Sequence, residues 1–253
     1  MSSLPVRLLS LNMNRTPDLD GDRFIVTDFE GLDSATVDYS ATDNYGDGEL
    51  LSRLRLGPRE MNIKGVAWSP RNEDHGIWRV RQKLSAVFAS LVRKPAWVYI
   101  DTHAPGVPVQ LQVRVGGELH LPTPKAHNVQ EFEFPIRAAD PRKYGQLERN
   151  QTIGGTATVT NFGDYPTYVK AVLQQTANLP FLTNNSDGGK RMLYSFHGVP
   201  AGAYFDFAKK ETGDSTGPRE LGKRSHQWWE LLPGPNNITT QGIWRLTWRD
   251  AYA

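Results

Sequence analysis

Groups able to do chemistry are sparse in this sequence, and their spacing decides what they do. There are six histidines, at 75, 103, 120, 127, 197 and 226, and none forms a close metal-ligand pair with another. There is no cysteine, which removes disulfides, thiolate zinc sites and thiol nucleophiles together. A phosphate-cradling glycine loop with its lysine, a serine elbow and the helical zinc motif are all missing. Glu131 and Glu133 alternate with Phe132 and Phe134, so they belong to the wet face of a strand and not to a paired-acid glycosidase site. Asp43-Asn44-Tyr45-Gly46-Asp47-Gly48-Glu49 loosely resembles a calcium loop but lacks its ligand spacing, so a plain turn is expected. Trp228 and Trp229, with Trp244 and Trp248, supply the aromatic faces that a sugar-stacking platform would need. A sandwich core needs the same rings, and core packing is the reading preferred for each. These residues predict no enzyme, no cofactor and no metal.

Charge points the same way. Twenty-nine basic against 27 acidic residues leave +2, which is not the imbalance of a nucleic-acid binder. The distribution is uneven: from Asp18 to Glu49 the carboxylates face only Arg23 in the sequence. No apolar run approaches the ~20 residues of a membrane helix, and no signal peptide is read.

The elements that must carry these residues read mostly as β. Met61, Ile63 and Val66 to Trp68 mark a strand, Trp97 to Ile100 a short one. Val109, Leu111, Val113 and Val115 alternate, as do Phe132, Phe134 and Ile136. Gly116-Gly117 predicts a two-residue hairpin turn into a strand over Glu118 to Leu121. One helix interrupts them: Ile77, Val80, Leu84, Val87, Phe88 and Leu91 share a face, Asn72 or Asp74 is placed to cap it, and Pro95 stops it. After a polar stretch near 140–152, short strands resume at Thr156 to Thr160, Tyr168 to Leu173, Met192 to Phe196 and Tyr204 to Phe207, separated by Gly/Asn/Asp clusters. That spacing predicts a β-sandwich. Trp244, Leu246 and Trp248 alternate in phase in the last strand. Two domains follow, 1–147 and 148–253.

Three motifs in order carry a family resemblance. Phe132-Glu-Phe134-Pro-Ile136-Arg-Ala-Ala-Asp140-Pro141-Arg-Lys-Tyr144-Gly resembles the end of the N-terminal domain of siphophage distal tail proteins. Thr160-Asn161-Phe-Gly163-Asp-Tyr-Pro166 and Trp229-Glu-Leu231-Leu-Pro233-Gly234-Pro-Asn236-Asn237-Ile238 resemble turns near the start and end of that family's C-terminal domain. The resemblance implies a mainly β chain. Its first part would be a tail-tube-like belt domain (a β-barrel or sandwich with one helix), its second a galectin-like β-sandwich. It implies a homohexameric ring at the virion tail tip, assembled in the host cytoplasm. The implied partners are the tail tube protein, the tail-tip hub or tail-associated protein, the tape measure protein, and receptor-binding or fibre proteins. DNA would pass transiently through the lumen without sequence-specific binding. Residues 33–58 align with nothing in the family pattern. They are too long for an idle turn, and tail-tube-like folds use a loop nearby to reach the next ring. Asp43, Asp47, Glu49, Leu54 and Leu56 are therefore the candidate ring-contact or lumen residues. The alternative is a carbohydrate-binding adhesion module with Trp228 and Trp229 as stacking residues.

Overall fold

The computed structural model describes residues 6–8, 11–13, 16–34, 36–43, 49–70, 74–101, 107–124, 126, 128–218 and 223–253, with backbone alone at 38–43, 49–55, 74–75 and 223–226. Among the described residues the chain is mainly β with one helix, and it divides into two compact units, Met1–Lys143 with Ala253, and Tyr144–Tyr252.

In the first unit, β1 (Val6–Leu8), β2 (Leu11–Met13), β3 (Arg23–Glu30), β4 (Val37–Asp43), β5 (Glu49–Leu56) and β6 (Arg59–Trp68) precede α1 (Asp74–Arg93). Then come β7 (Ala96–Ile100), β8 (Val109–Val115) and β9 (Val129–Ala138). The pairing order is β2-β1-β7-β8-β9-β6-β3. Strand β8 links the two halves: Val109 to Val113 pair with β7, while Arg114 and Val115 pair with β9. Alternation sends Val109, Leu111, Val113, Phe132, Phe134, Ile136, Met61 and Ile63 into the core. Helix α1 covers this apolar side with Ile77, Val80, Leu84, Val87 and Leu91, and Phe88 meets Phe134 edge-on at 5.7 Å.

Two expectations are corrected here. Gly116-Gly117 is not a two-residue hairpin, and no strand forms over 118–121. Gly116 runs instead against β9, where an added Cβ would stand 2.8 Å from the Ile136 carbonyl carbon. The chain follows β9 onward, and His120 and Glu133 exchange backbone hydrogen bonds of 3.1 and 3.0 Å. The unaligned stretch after Asp33 is not a loop but the ribbon β4–β5, paired from Val37–Leu56 to Asp43–Glu49 with an irregularity at Ser40/Ala41. It forms a sheet of its own and pairs with no other described strand. Asn72 lies outside the described residues, and Asp74 opens the helix by its backbone.

The short β10 (Lys143–Gly145) spans the division between the units. The second unit holds β11 (Arg149–Asn161), β12 (Val169–Leu173), β13 (Phe181–Asn184), β14 (Lys190–Tyr194) and β15 (Tyr204–Asp206). It continues through β16 (Glu211–Asp214), β17 (Gly217–Pro218), β18 (Lys223–His226), β19 (Gly234–Trp248) and β20 (Ala251–Tyr252). Strand β19 pairs with β11 along one edge and with both β12 and β13 along the other. The β11–β19 ribbon turns a corner where the register slips between Gly154 and Thr156. Gly155 there has φ +72° and Gly242 opposite has φ +90°. The turn folds β11 back on itself, so Gln151 Nε2 donates to the Thr158 carbonyl at 3.2 Å and the Arg149 guanidinium lies 4.4 Å from the Phe162 ring centre.

Candidate functional site

The acidic N-terminal stretch does not stand alone. Asp18 accepts from the backbone N–H groups of Asp20 and Asp22 at 2.9 and 3.0 Å, which holds 18–22 in a tight loop. Helix α1 answers that loop with two cations. Arg79 grips the fully buried Asp22 through Nε at 2.8 Å and Nη2 at 2.5 Å. Lys83 Nζ sits 2.5 Å from Asp18, 2.7 Å from Asp20 and 2.8 Å from Asp22. These three carboxylates lie within 4.8 Å of one another, close enough to hold one ion. The Lys83 ammonium takes the position a metal would need, so this cluster is a structural clasp between loop and helix. Burial alone would raise the Asp22 carboxyl; hydrogen bonds from Arg79, Lys83 and Ser69 overcome that and hold it down to about 2. Burial likewise works against the charged Lys83, and the three carboxylates overcome it and raise its pKa. Sequence reading missed the clasp because its members stand some 60 residues apart, on a loop and on the flank of a helix.

The outward face of the β3–β6–β9 sheet is a second charged surface. Register sets Asp28, Lys64 and Glu133 in one row, Ile25, Val66 and Glu131 in the next. Lys64 donates to Glu30 at 2.5 Å, and that bond raises the lysine, with Glu133 and Asp28 adding to it. Lys64 thus serves three neighbouring acids, Glu30, Glu133 and Asp28, with Glu131 in the next row. A further row runs Glu60, Arg137, Arg114.

Of the sequence candidates, Asp43 and Glu49 are paired residues at the closed end of the β4–β5 ribbon, Leu54 pairs with Tyr39, and Leu56 with Val37. Leu56 is half-buried, while Asp47 lies outside the described residues. The proposed stacking pair separates. Trp229 is 1% exposed, with its ring 4.3 Å from Phe207, and belongs to the core of the second unit. Trp228 is partly buried and meets Phe207 edge-on. The Trp229 ring therefore offers no open face to a sugar. Trp244 is fully buried and Trp248 6% exposed, in phase with Leu246 as the alternation predicts.

The turns at 160–166 and 229–238 are held by buried asparagines, with a third from β13. Asn161, Asn184 and Asn236 are all fully buried. Asn161 donates to the Tyr165 carbonyl at 2.8 Å and accepts from the Gly163 N–H at 3.0 Å. Asn236 accepts from Leu232 N–H at 2.9 Å and donates to the Leu232 and Gly234 carbonyls at 2.8 and 3.0 Å. Asn184 donates to Glu230 O and Asn236 Oδ1 in the later turn, and Asn161 ties the two turns by donating to the Leu231 carbonyl at 3.3 Å. Each amide satisfies backbone groups a bend would otherwise bury unpaired. In the first unit, Asp140 accepts from the Arg142 N–H at 3.2 Å, and the fully buried Arg59 donates to the carbonyls of Pro141 and Leu32 at 2.5 and 2.8 Å.

The chain combines one helix-covered β unit with one β-sandwich, and that fold is shared with solved phage proteins. In particular, the fold matches the crystal structure of the Dit protein of phage SPP1, described as a paradigm of the hub adsorption apparatus in phages that infect Gram-positive bacteria. The TM-score is 0.71 at 14% identity, covering 100% of both chains. It also matches a chain of the phage P2 baseplate in its activated conformation with calcium, at TM-score 0.55 and 8% identity over 98% of both chains. No family model and no curated relative matches the sequence.

Proposed function

We propose that this chain is a structural distal tail protein of a long-tailed bacteriophage. It forms a hexameric ring that joins the tail tube to the tail-tip hub and host-adsorption apparatus, and DNA passes through the lumen. Residues 1–147 form the ring and 148–253 the outward sandwich. The β4–β5 ribbon makes contacts between copies or rings. The observation that carries the reading is the fold match with SPP1 Dit along the whole chain, both units included. The ribbon pairs with no other described strand, which supports it, since a lone two-stranded hairpin is marginally stable in water. An acid-rich sheet face suits a conduit as well, because phosphate sticks where lysine and arginine neutralise it. The tail tube protein, the hub, the tape measure protein and receptor-binding or fibre proteins are the partners, in a virion assembled in the host cytoplasm. The chain works as a structural part and not as a catalyst. The test is particle imaging with copy number by mass. Six copies at the tail tip are expected; a single copy per assembled tail overturns the reading.

A further inference from the structure

Among the described aromatic rings of the second unit, Phe162 alone is exposed, at 64%. The turn that carries it is fixed on every side. The Phe162 N–H donates to Asp250 Oδ1 at 3.0 Å. The buried Asn161 amide bonds Gly163 and Tyr165 beyond it. A Cβ on Gly163 would stand 1.9 Å from the Ala251 carbonyl oxygen, so the turn lies hard against β20. An exposed ring on a fixed turn is preorganised, and little ordering entropy is lost when a ligand covers it.

A recess of about 270 Å³ opens beside that ring, lined by Arg149, Asn150, Gln151, Thr160, Phe162 and Trp248. Drug-sized ligands fill pockets of roughly 300–1,000 Å³, so this one suits a single small ring. Arg149 is the only ionised side chain of the lining, and Asp250 balances it at 2.6 Å. The recess therefore suits a neutral ligand. Asn150, Gln151 and Thr160 bring amide and hydroxyl groups that both donate and accept. Trp248 is 6% exposed, and its indole N–H has no acceptor among the described residues. A bare aromatic ring beside such groups matches a pyranose, which has an apolar C–H face and a rim of hydroxyls. Its weakly positive C–H hydrogens lie well against the negative face of an aromatic ring.

We propose that Phe162, with Arg149, Asn150, Gln151 and Thr160, forms a binding site for one neutral hexose unit of a saccharide. The sugar stacks on the part of Phe162 that the Arg149 guanidinium, 4.4 Å from the ring centre, leaves bare. Its hydroxyls meet the amides, the Thr160 hydroxyl and the guanidinium N–H groups not spent on Asp250. The site is distinct from the Trp228–Trp229 pair, whose Trp229 ring is 1% exposed. It goes beyond the ring reading and does not depend on it.

Saturation-transfer NMR on the full chain tests it, with the methyl glycosides of glucose, galactose, mannose and N-acetylglucosamine as probes. At least one of them should receive saturation, most strongly at the hydrogens of its C–H face. Phe162→Ala should weaken that binding about tenfold, and Phe162→Tyr should keep it. Leu147→Ala, at an exposed apolar residue outside the recess, should leave it unchanged. Thermal unfolding shows that each variant is folded. No transfer to any of these sugars at millimolar concentration overturns the site. Binding that survives Phe162→Ala, or that falls equally with Leu147→Ala, overturns it too. Should Phe162→Ala fail to fold, Asn150→Ala with Thr160→Val decides, by the same loss or its absence. Tail assembly lost in Phe162→Ala, with no hexose bound by the parent chain, assigns the ring to a protein partner and overturns the saccharide.

Discussion

The two units of this chain build cores in different ways. The second closes on itself around aromatic rings. Tyr194, Phe205 and Trp244 stack nearly parallel, with ring centres 4.5 and 5.2 Å apart along the series. Each polar handle is satisfied nearby: the Tyr194 hydroxyl donates to Tyr204 O at 2.7 Å and Trp244 Nε1 to Gln241 O at 2.9 Å. The first unit packs aliphatic side chains with Phe24, Phe132 and Phe134 under one helix, without a parallel ring stack, and it is held at its margins by charge. The Asp18–Asp20–Asp22 loop clasps α1, while Arg59 spans from Leu32 to Pro141. In that unit the β4–β5 ribbon pairs with no other described strand, and Arg114 and Arg137 are exposed opposite each other. The difference teaches where assembly should act: the helix-covered unit presents a ribbon and exposed arginines that another copy can engage.

The largest effect should come from Trp244→Ala. Removing a fully buried ring from the middle of a stack should cost about 3–5 kcal/mol. Denaturant unfolding of the full chain checks it: the sandwich transition should move and the other should stay. Little change in either would end the claim that the stack is that unit's centre.

Next is Arg59→Met, which sharpens the other half of the comparison. Burial lowers the Arg59 guanidinium's pKa, and Asp33 opposes that lowering. Charged hydrogen bonds to two carbonyls offset the burial, and their loss should cost about 3 kcal/mol in the first unit. The second transition should be unmoved; equal loss in both would mean that the units do not unfold separately.

Much of this contrast was legible in the sequence. Strict alternation announced β8, β9 and β19, and the apolar face over Ile77 to Leu91 announced α1, because each repeats one period without interruption. Strand β3 was not announced. Its pairing slips between Val26 and Asp28, so Phe24 and Val26 point inward on one parity and Phe29 on the other. The Lys83 clasp was illegible for a different reason: period and spacing report neighbours on one element, and its carboxylates meet their cations only after folding. The asparagine turns were visible as letters, though their burial was not.

The clasp gives a pH signature that separates the units. The Asp22 carboxyl is held at about 2 in the folded chain against an ordinary 3.8. A depressed carboxyl stabilises above its unfolded value, and the contribution fades as pH falls from about 4 through about 2. A drop of that size is worth about 2 kcal/mol at neutral pH. The first unit should therefore lose more stability than the second on acidification across that window, as followed by unfolding at stepped pH. Asp22→Asn should remove much of the difference. Lys83 works at the other end. Its raised pKa stabilises fully below the ordinary lysine value of 10.5 and fades only as pH rises beyond it, so it adds nothing to the acid window.

The smallest effect on stability should accompany the clearest effect on function. The ribbon end and the β3–β6–β9 face both carry acids, and both are candidates to meet DNA in a ring. If the ribbon contacts another copy, the sheet face is left to line the channel. Replacing Asp28, Glu131 and Glu133 by Asn, Gln and Gln keeps size and removes charge. Each should move the first unit's stability by only about 0.5 kcal/mol, since they sit on its outward face. DNA passage should slow in these tails at low ionic strength and recover as salt screens the remaining charges. The matched change at the ribbon, Asp43→Asn, Asp47→Asn and Glu49→Gln, should instead weaken assembly and leave passage normal in the tails that do form. Reversed results, with passage slowed by the ribbon set and assembly weakened by the face set, would exchange the two roles. Passage unchanged by either set at low salt would remove the acids from the channel altogether and leave them as surface charge.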